Sequence, residues 1–278
     1  MDFAAVPASD YPLTDLIDFL NQGFEDYFIP IQFNLATFLN MVRKDGIDLA
    51  ASRVLSVSDQ PCGIALIARR GWVSRLAAMG VAKETRGKGA GSWLMDKLIQ
   101  EATQRDDHEM VLEVIEQNEA AVKLYQKSGF QTVRRLVGFL RKDANEPEGN
   151  KLREIDLREM GRLISQHGLP DLPWQLSGES IAQMNPPARA YCKGRAYIAI
   201  SNPAAEHVVI WSLLVEQDAR GNRLGIDLLK SIIANYADKT WHVPAIFPEE
   251  LGNVFERANF ENEKLSQWQM RLTLTPPS

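Results

Sequence analysis

The chain has 278 residues, 45% of them hydrophobic, and its 31 basic and 36 acidic side chains give a net charge of −5. That length is a prior for about two packed domains, and with no basic run or aromatic-basic interleaving the composition excludes a general nucleic-acid surface. No window approaches the ~18 apolar residues of a membrane span, and the N-terminus lacks a basic region followed by an apolar core, so the expected compartment is the cytoplasm.

Met1–Ala8 reads as a short strand, and Tyr11–Gly23 as a helix with Leu13, Leu16, Ile17 and Leu20 on one face. The connection from Gly23 to Phe33 is rich in aromatic residues. Phe24, Tyr27, Phe28 and Phe33 are read most simply as core, and the carboxylates of Glu25 and Asp26 as solvated or as attractors of an amine. A second helix is predicted over Leu35–Val42. Ala50–Val57 and Gly63–Arg69 follow as a hairpin around Asp59–Gly63.

Val73–Ala82 is an apolar run bounded by turn residues, which predicts a buried strand. It feeds the turn Lys83–Gly91 and then a helix, Ser92–Gln104, whose Leu94, Met95, Leu98, Ile99 and Ala102 recur at helical spacing. A strand that enters a helix through a glycine-rich turn aims unpaired backbone N–H groups outward, with the positive end of the helix dipole behind them, which suits phosphate. Gly87, Gly89 and Gly91 let backbone approach a bulky anion, while Arg86 and Lys88 add positive charge. The spacing matches neither a dinucleotide fingerprint nor a Walker loop. Met110–Ile115 alternates like a strand, Asn118 caps a helix that stops at Gly129, and Phe130 begins a strand reaching about Arg141. Lys142–Asn150 is a polar Pro/Gly linker. The domain boundary is expected there, with domains at 1–145 and 151–278; Lys151–Asp156 fits either sheet.

Arg86-x-x-Gly89-x-Gly91 resembles the pyrophosphate motif of the GNAT superfamily of N-acetyltransferases. Leu112-Glu113-Val114 followed by Asn118-x-x-Ala121-x-x-Leu124-Tyr125-x-x-x-Gly129-Phe130 resembles that family's closing motif at its usual distance. The resemblance covers about residues 3–142. It implies an α/β (α+β) fold, a mixed, mostly antiparallel twisted sheet flanked by helices, and acetyl-CoA as cosubstrate. It also implies a cofactor site of Met79, Gly80, Val81, Arg86, Gly87, Lys88, Gly89, Ala90, Gly91, Ser92, Asn118 and Ala121, with Phe24, Glu25, Tyr27 and Phe28 on the acceptor side. The Gly80 and Val81 N–H groups would polarise the thioester carbonyl if their strand splays from its neighbour as in the family.

The implied chemistry is acetyl transfer to a primary amine by direct attack in a ternary complex. An alkylamine of pKa about 10.4 must lose a proton before or during attack, and Glu113 or a water is the candidate base, with Glu116 as the neighbouring alternative. A carboxylate stands at the place of Glu113 in ribosomal-protein alanine acetyltransferases that resemble this pattern. Tyr125, a neutral phenol with a reference pKa of about 10, suits a general acid for the departing thiolate.

The second half repeats the first faintly. Leu157–His167 is helical, Ala190–Ser201 and Glu206–Val215 are strand-like, and Leu224–Tyr236 is an amphipathic helix. Arg220-Gly-Asn-Arg-Leu-Gly225 has the shape of Arg86–Gly91 at a separation of 134 residues (220 − 86), and Phe260 follows Phe130 by 130 (260 − 130). Arg223 stands in the place of Gly89, Phe255 in that of Tyr125 and Pro248 in that of Asn118, so the second module is expected to be a degenerate GNAT-like domain without cofactor. An unrelated C-terminal cap is the competing organisation. Cys62 and Cys192 form no disulfide framework, and His108, His167, His207 and His242 have no metal-ligand spacing, so no metal is implied. The expected partner is a small-molecule or peptide amine, the protein a monomer or homodimer. A catalytically silent acyl-CoA-binding or sensing protein is the alternative from another class, and an acyl donor other than acetyl-CoA a further one.

Overall fold

Ser58 and Asp59 both adopt positive φ, at 49° and 64°, the backbone of a two-residue hairpin turn whose twist matches that of its strands. The hairpin therefore turns here, and Gln60–Gly63, predicted as part of the turn, extends the second strand instead. The computed structural model describes residues 2–142 and 152–274. In chain order the first part contains β1 (Phe3–Pro7), α1 (Leu13–Gly23), α2 (Leu35–Asp45), β2 (Arg53–Val57), β3 (Gln60–Arg70), β4 (Val73–Val81), α3 (Ala90–Gln104), β5 (Glu109–Ile115), α4 (Glu119–Lys127) and β6 (Gln131–Arg141). This is the predicted order. The rest contains β7 (Arg153–Ile155), α5 (Leu157–His167), α6 (Gly178–Ala182), β8 (Arg189–Lys193), β9 (Ala196–Ile200), β10 (His207–Val215), α7 (Leu224–Asn235), β11 (Thr240–Pro248), α8 (Asn253–Glu256) and β12 (Glu261–Thr273).

Local chemistry sets several of these ends. Asn34 accepts from the Thr37 N–H while Thr37 Oγ1 accepts from the Asn34 N–H, a capping box that starts α2, and Gly46 ends that helix at φ 71°. Asn118 caps α4 by accepting from the Ala121 N–H at 3.2 Å. The predicted stretch Ala190–Ser201 is two strands rather than one, because Gly194 at φ 60° turns the chain between β8 and β9. The linker predicted over 142–150 lies outside the described residues except for Lys142. β7 pairs with β8, so of the stretch that fitted either sheet the described strand Arg153–Ile155 opens the second.

The chain divides into two compact units, one of residues 1–133 and 268–278, the other of residues 134–267. These limits differ from a division in the linker, because the end of β12 returns to the first unit. In the first unit β1, β2, β3 and β4 pair antiparallel in that order, β4 pairs parallel with β5, and β12 lies beside β5. Leu94, Met95, Leu98 and Ala102 of α3 and Tyr125 of α4 pack on one face with Leu112, Val114 and Met270. Leu16, Ile17 and Leu20, predicted as the apolar face of α1, are buried.

In the second unit the order is β7, β8, β9, β10, β11, with β6 antiparallel to β11. β10 and β11 are parallel and the other neighbours antiparallel. Leu228, Leu229, Ile232 and Ile233 of α7 join Trp241, Phe247 and Phe255 in one core, while Met160 and Ile164 of α5 and Ile181 of α6 form another. Each unit is thus a mixed, mostly antiparallel twisted sheet flanked by helices. Among the described residues no helix is long and apolar enough to cross a membrane.

Candidate active site

The register of β4 with β5 runs only from Val73 opposite Glu109 to Leu76 opposite Leu112, although β4 continues to Val81 and β5 to Ile115. A bulge at Ala77, between the Leu66–Ala78 and Ile67–Leu76 pairs, bends β4 at the point where this pairing stops. Met79, Gly80 and Val81 therefore run on without a registered partner on β5. This is the parting of strands that the sequence reading required.

Beyond β4, Gly87 and Gly89 hold φ of 74° and 88°, and a Cβ at either would meet nothing within 4 Å. They need glycine for conformation, and the space beside them is open. Gly89 is the N-cap of α3, so the N–H groups of Ala90, Gly91 and Ser92 begin a helix and have no carbonyl partner within it. Gly91 is different: a Cβ there would touch Leu124 at 3.4 Å and Met79 at 3.6 Å, so this glycine lets α3 pack against α4 and β4.

Arg86 is less available than its charge suggests. Its Nε donates to the Val81 carbonyl at 2.9 Å, and its Nη2 to the carbonyls of Gly23 and Glu25 at 3.1 and 3.3 Å. The guanidinium clips the end of α1 to the end of β4. Gly23 and Gly80 meet backbone to backbone at the same place, where a Cβ on Gly80 would fall 2.8 Å from the Gly23 Cα. Gly23 had no signal in sequence beyond its place at a helix end. Lys88 is exposed.

Phe24, Tyr27, Phe28 and Phe33 do not form core as predicted. They stack edge to face on one another, with Phe24–Tyr27, Tyr27–Phe28 and Phe24–Phe33 centroids 5.0, 5.6 and 6.0 Å apart, and Phe28 is 51% exposed. Glu25 and Asp26 are exposed, and Asp26 pairs with Lys83 at 3.0 Å. Burial raises the Tyr27 pKa, and a hydrogen bond with the Asn118 side chain pulls it back. Tyr125 is buried, and its pKa is pushed well above 10, mainly by loss of solvent and secondly by the nearby Tyr27. Tyr27, Asn118 and Tyr125 are thus brought together. Ala121 enters through its backbone N–H on Asn118.

Glu113 occupies the opposite face of β5 from Leu112 and Val114, as its position in the strand requires. Its side chain is only 2% exposed and its Oε2 accepts from Arg75 Nε at 2.7 Å. Asp45 lies 3.5 Å from Arg75 Nη1 on the other side. The carboxylate and the guanidinium thus form a buried ion pair. Arg75 was not singled out in sequence, because one arginine within an apolar strand carries no motif.

Residues 14–130 match the family profile described as Acetyltransferase (GNAT) family. They form a GNAT acetyltransferase domain. No curated protein matches the chain. Among solved structures, a GCN5-related N-acetyltransferase from Anabaena variabilis is 18% identical with a TM-score of 0.67, over 99% of this chain and 73% of that one. A tandem GNAT protein from the clavulanic acid biosynthesis pathway is 15% identical with a TM-score of 0.66, covering 100% of both chains. A putative acetyltransferase from Pyrococcus horikoshii is 14% identical with a TM-score of 0.66, over 99% and 89%. At these identities the likeness concerns the fold, and the fold is that of a tandem GNAT protein.

The GNAT architecture of the second unit is visible in register. β4 and β10 begin at 73 and 207, α3 and α7 at 90 and 224, each pair 134 residues apart. The β10 bulge falls at Trp211, in the place of Ala77, and β10–β11 pairing stops at Val209 and His242. Arg220 repeats the clip of Arg86, donating from Nε to the Val215 carbonyl at 3.2 Å and from Nη2 to the His167 carbonyl. The Phe260 N–H donates to the Phe255 carbonyl at 3.0 Å, as the Phe130 N–H does to that of Tyr125. The helix after Pro248 is broken into a short turn and the four residues of α8, since proline offers no capping side chain. Arg223 keeps the left-handed conformation of Gly89, with φ 59°, while adding a side chain.

Proposed function

We propose that the first unit transfers the acetyl group of acetyl-CoA to a primary amine, in a ternary complex and by direct attack. The observation that carries this reading is the parting of β4 from β5 beside the turn whose Gly87 and Gly89 face open space at the start of α3. The residues present fit the cosubstrate: the N–H groups of the turn and of Ala90, Gly91 and Ser92 would hold the pyrophosphate, with Lys88 adding charge and Arg86 holding the wall of the cleft. Acetyl-CoA supplies the activated acetyl thioester. Met79, Gly80 and Val81 would line its inner arm, with the Gly80 and Val81 backbone placed to polarise the carbonyl.

Tyr125 is assigned as general acid. Its raised pKa keeps the phenol protonated at neutral pH, so it enters the reaction as a donor to the departing thiolate. Water is assigned as base, because Glu113 is engaged by Arg75. Phe24, Glu25, Tyr27 and Phe28, on the segment that Arg86 ties to β4, are assigned to the acceptor side. The second unit is assigned no CoA, since Arg223 and Phe255 replace Gly89 and Tyr125. A cytoplasmic protein, acting as monomer or homodimer, accords with this reading.

The test is calorimetry with acetyl-CoA on the full chain and on Gly89→Arg, which copies the second unit's residue. Severe weakening is expected, and unchanged affinity would remove the turn from the site.

A further inference from the structure

The parting of β10 from β11 in the second unit opens onto a cavity of about 290 Å³ walled by Leu172, Leu176, Leu213, Val215, Phe247 and Val254. A second cavity of about 190 Å³ adjoins it at the start of α7, sharing Val215, Gly225 and Val254 and bringing in Arg223 and Arg257. The charges around this pair of cavities are unequal. Glu250, on the apolar cavity's lining, is neutralised by Arg134 at 2.8 Å, and Arg220 is held by two backbone carbonyls. Arg223 and Arg257 are exposed and have no ion pair among the described residues. The lining is therefore apolar at one end and carries two uncompensated guanidinium groups beside a helix N-terminus at the other.

We propose that the second unit binds a medium-chain aliphatic carboxylate, its alkyl chain in the apolar cavity and its head group on Arg223 and Arg257. A carboxylate presents two oxygens that match the fork of one guanidinium, and the N–H groups that start α7 add to the same field. A pyrophosphate needs backbone where the Arg223 side chain now stands, so the same substitution that removes a nucleotide leaves a single compact anion accommodated. An amine is repelled by both arginines. The proposal does not rest on acetyl transfer by the first unit.

The experiment is titration calorimetry of the full chain with octanoate, with octanol as the uncharged chain of equal length. One octanoate per chain is expected, with octanol much weaker, and Arg223→Ala with Arg257→Ala lowering octanoate affinity on the order of 10-fold or more. Leu213→Trp, which fills the apolar cavity, should abolish binding in a protein whose thermal unfolding remains cooperative. No heat with octanoate, or equal binding of octanol, overturns the proposal, as does octanoate binding lost in Gly89→Arg and kept in the Arg223/Arg257 variant. Two CoA per chain, with octanoate displaced by the second, would make this a nucleotide site instead. Acetyl transfer is measured on the same samples: an octanoate failure with transfer intact sinks this inference alone.

Discussion

Glu113→Gln separates a structural carboxylate from a catalytic one. In the protein Glu113 and Arg75 have side chains 2% and 5% exposed and meet at 2.7 Å, so solvent screening is slight. Taking one partner from a buried pair costs about 3–5 kcal/mol, because the remaining charge is left uncompensated in a poorly solvated place. Asp45, 3.5 Å from the same guanidinium, stays, and the amide oxygen of glutamine still accepts a hydrogen bond; the low end, about 3 kcal/mol, is expected. For a domain of this size each kcal/mol moves the midpoint by roughly 2–4 °C, so the unfolding of the first unit should fall by about 6–12 °C. The assay is thermal unfolding by circular dichroism alongside steady-state acetyl transfer well below the transition. The reasoning requires kcat to stay within a few-fold while the midpoint drops. An unchanged midpoint with kcat reduced about 10²-fold or more, the usual worth of a general base, would refute it and restore Glu113 as the base. The triple variant Arg75→Leu, Glu113→Leu and Asp45→Asn should recover most of the lost stability, since all three buried charges are then replaced and none is left uncompensated.

Tyr125→Phe should lower kcat by about 10²- to 10⁴-fold with acetyl-CoA affinity retained, measured by kinetics and calorimetry on the same preparation; wild-type kcat would contradict a proton donor there. The same variant tests linkage: because the folded pKa of Tyr125 is raised above its unfolded value of 10, its contribution is complete below about pH 10 and lost as pH climbs toward the folded value. The fall in stability above pH 10 should therefore be shallower in Tyr125→Phe than in the wild type, and equal slopes would count against a buried phenol. Gly80→Ala puts a Cβ 2.8 Å from the Gly23 Cα, where backbone has to move; a loss of about 1–3 kcal/mol by denaturant unfolding and weaker acetyl-CoA binding are expected, and a neutral substitution would show that the α1 to β4 contact is not tight. Titration with CoA should saturate at one molecule per chain, and two equivalent sites would show that Arg223 leaves the second turn competent.

Much of this protein was legible in its residues because the signals are local. Leu16, Ile17 and Leu20 at helical spacing name the buried face of α1, and the glycines at 87 and 89 mark a left-handed turn that few other residues enter without strain. The spacing of 134 residues between two similar turns announces the repeat, since one backbone solution carried twice keeps its length. What the fold alone decided depends on partners distant in sequence. Trp268 and Leu272 reach the core of the first unit, and Met270 is buried in it, though they follow the whole of the second; their alternation says strand and not whose. Glu113 meets Arg75 from 38 residues away, and no motif on either strand announces that pair. The parting of β4 from β5 begins at Leu76, where no residue type marks it, because it is set by a bulge against a third strand, and the pairing of strands is written in their neighbours.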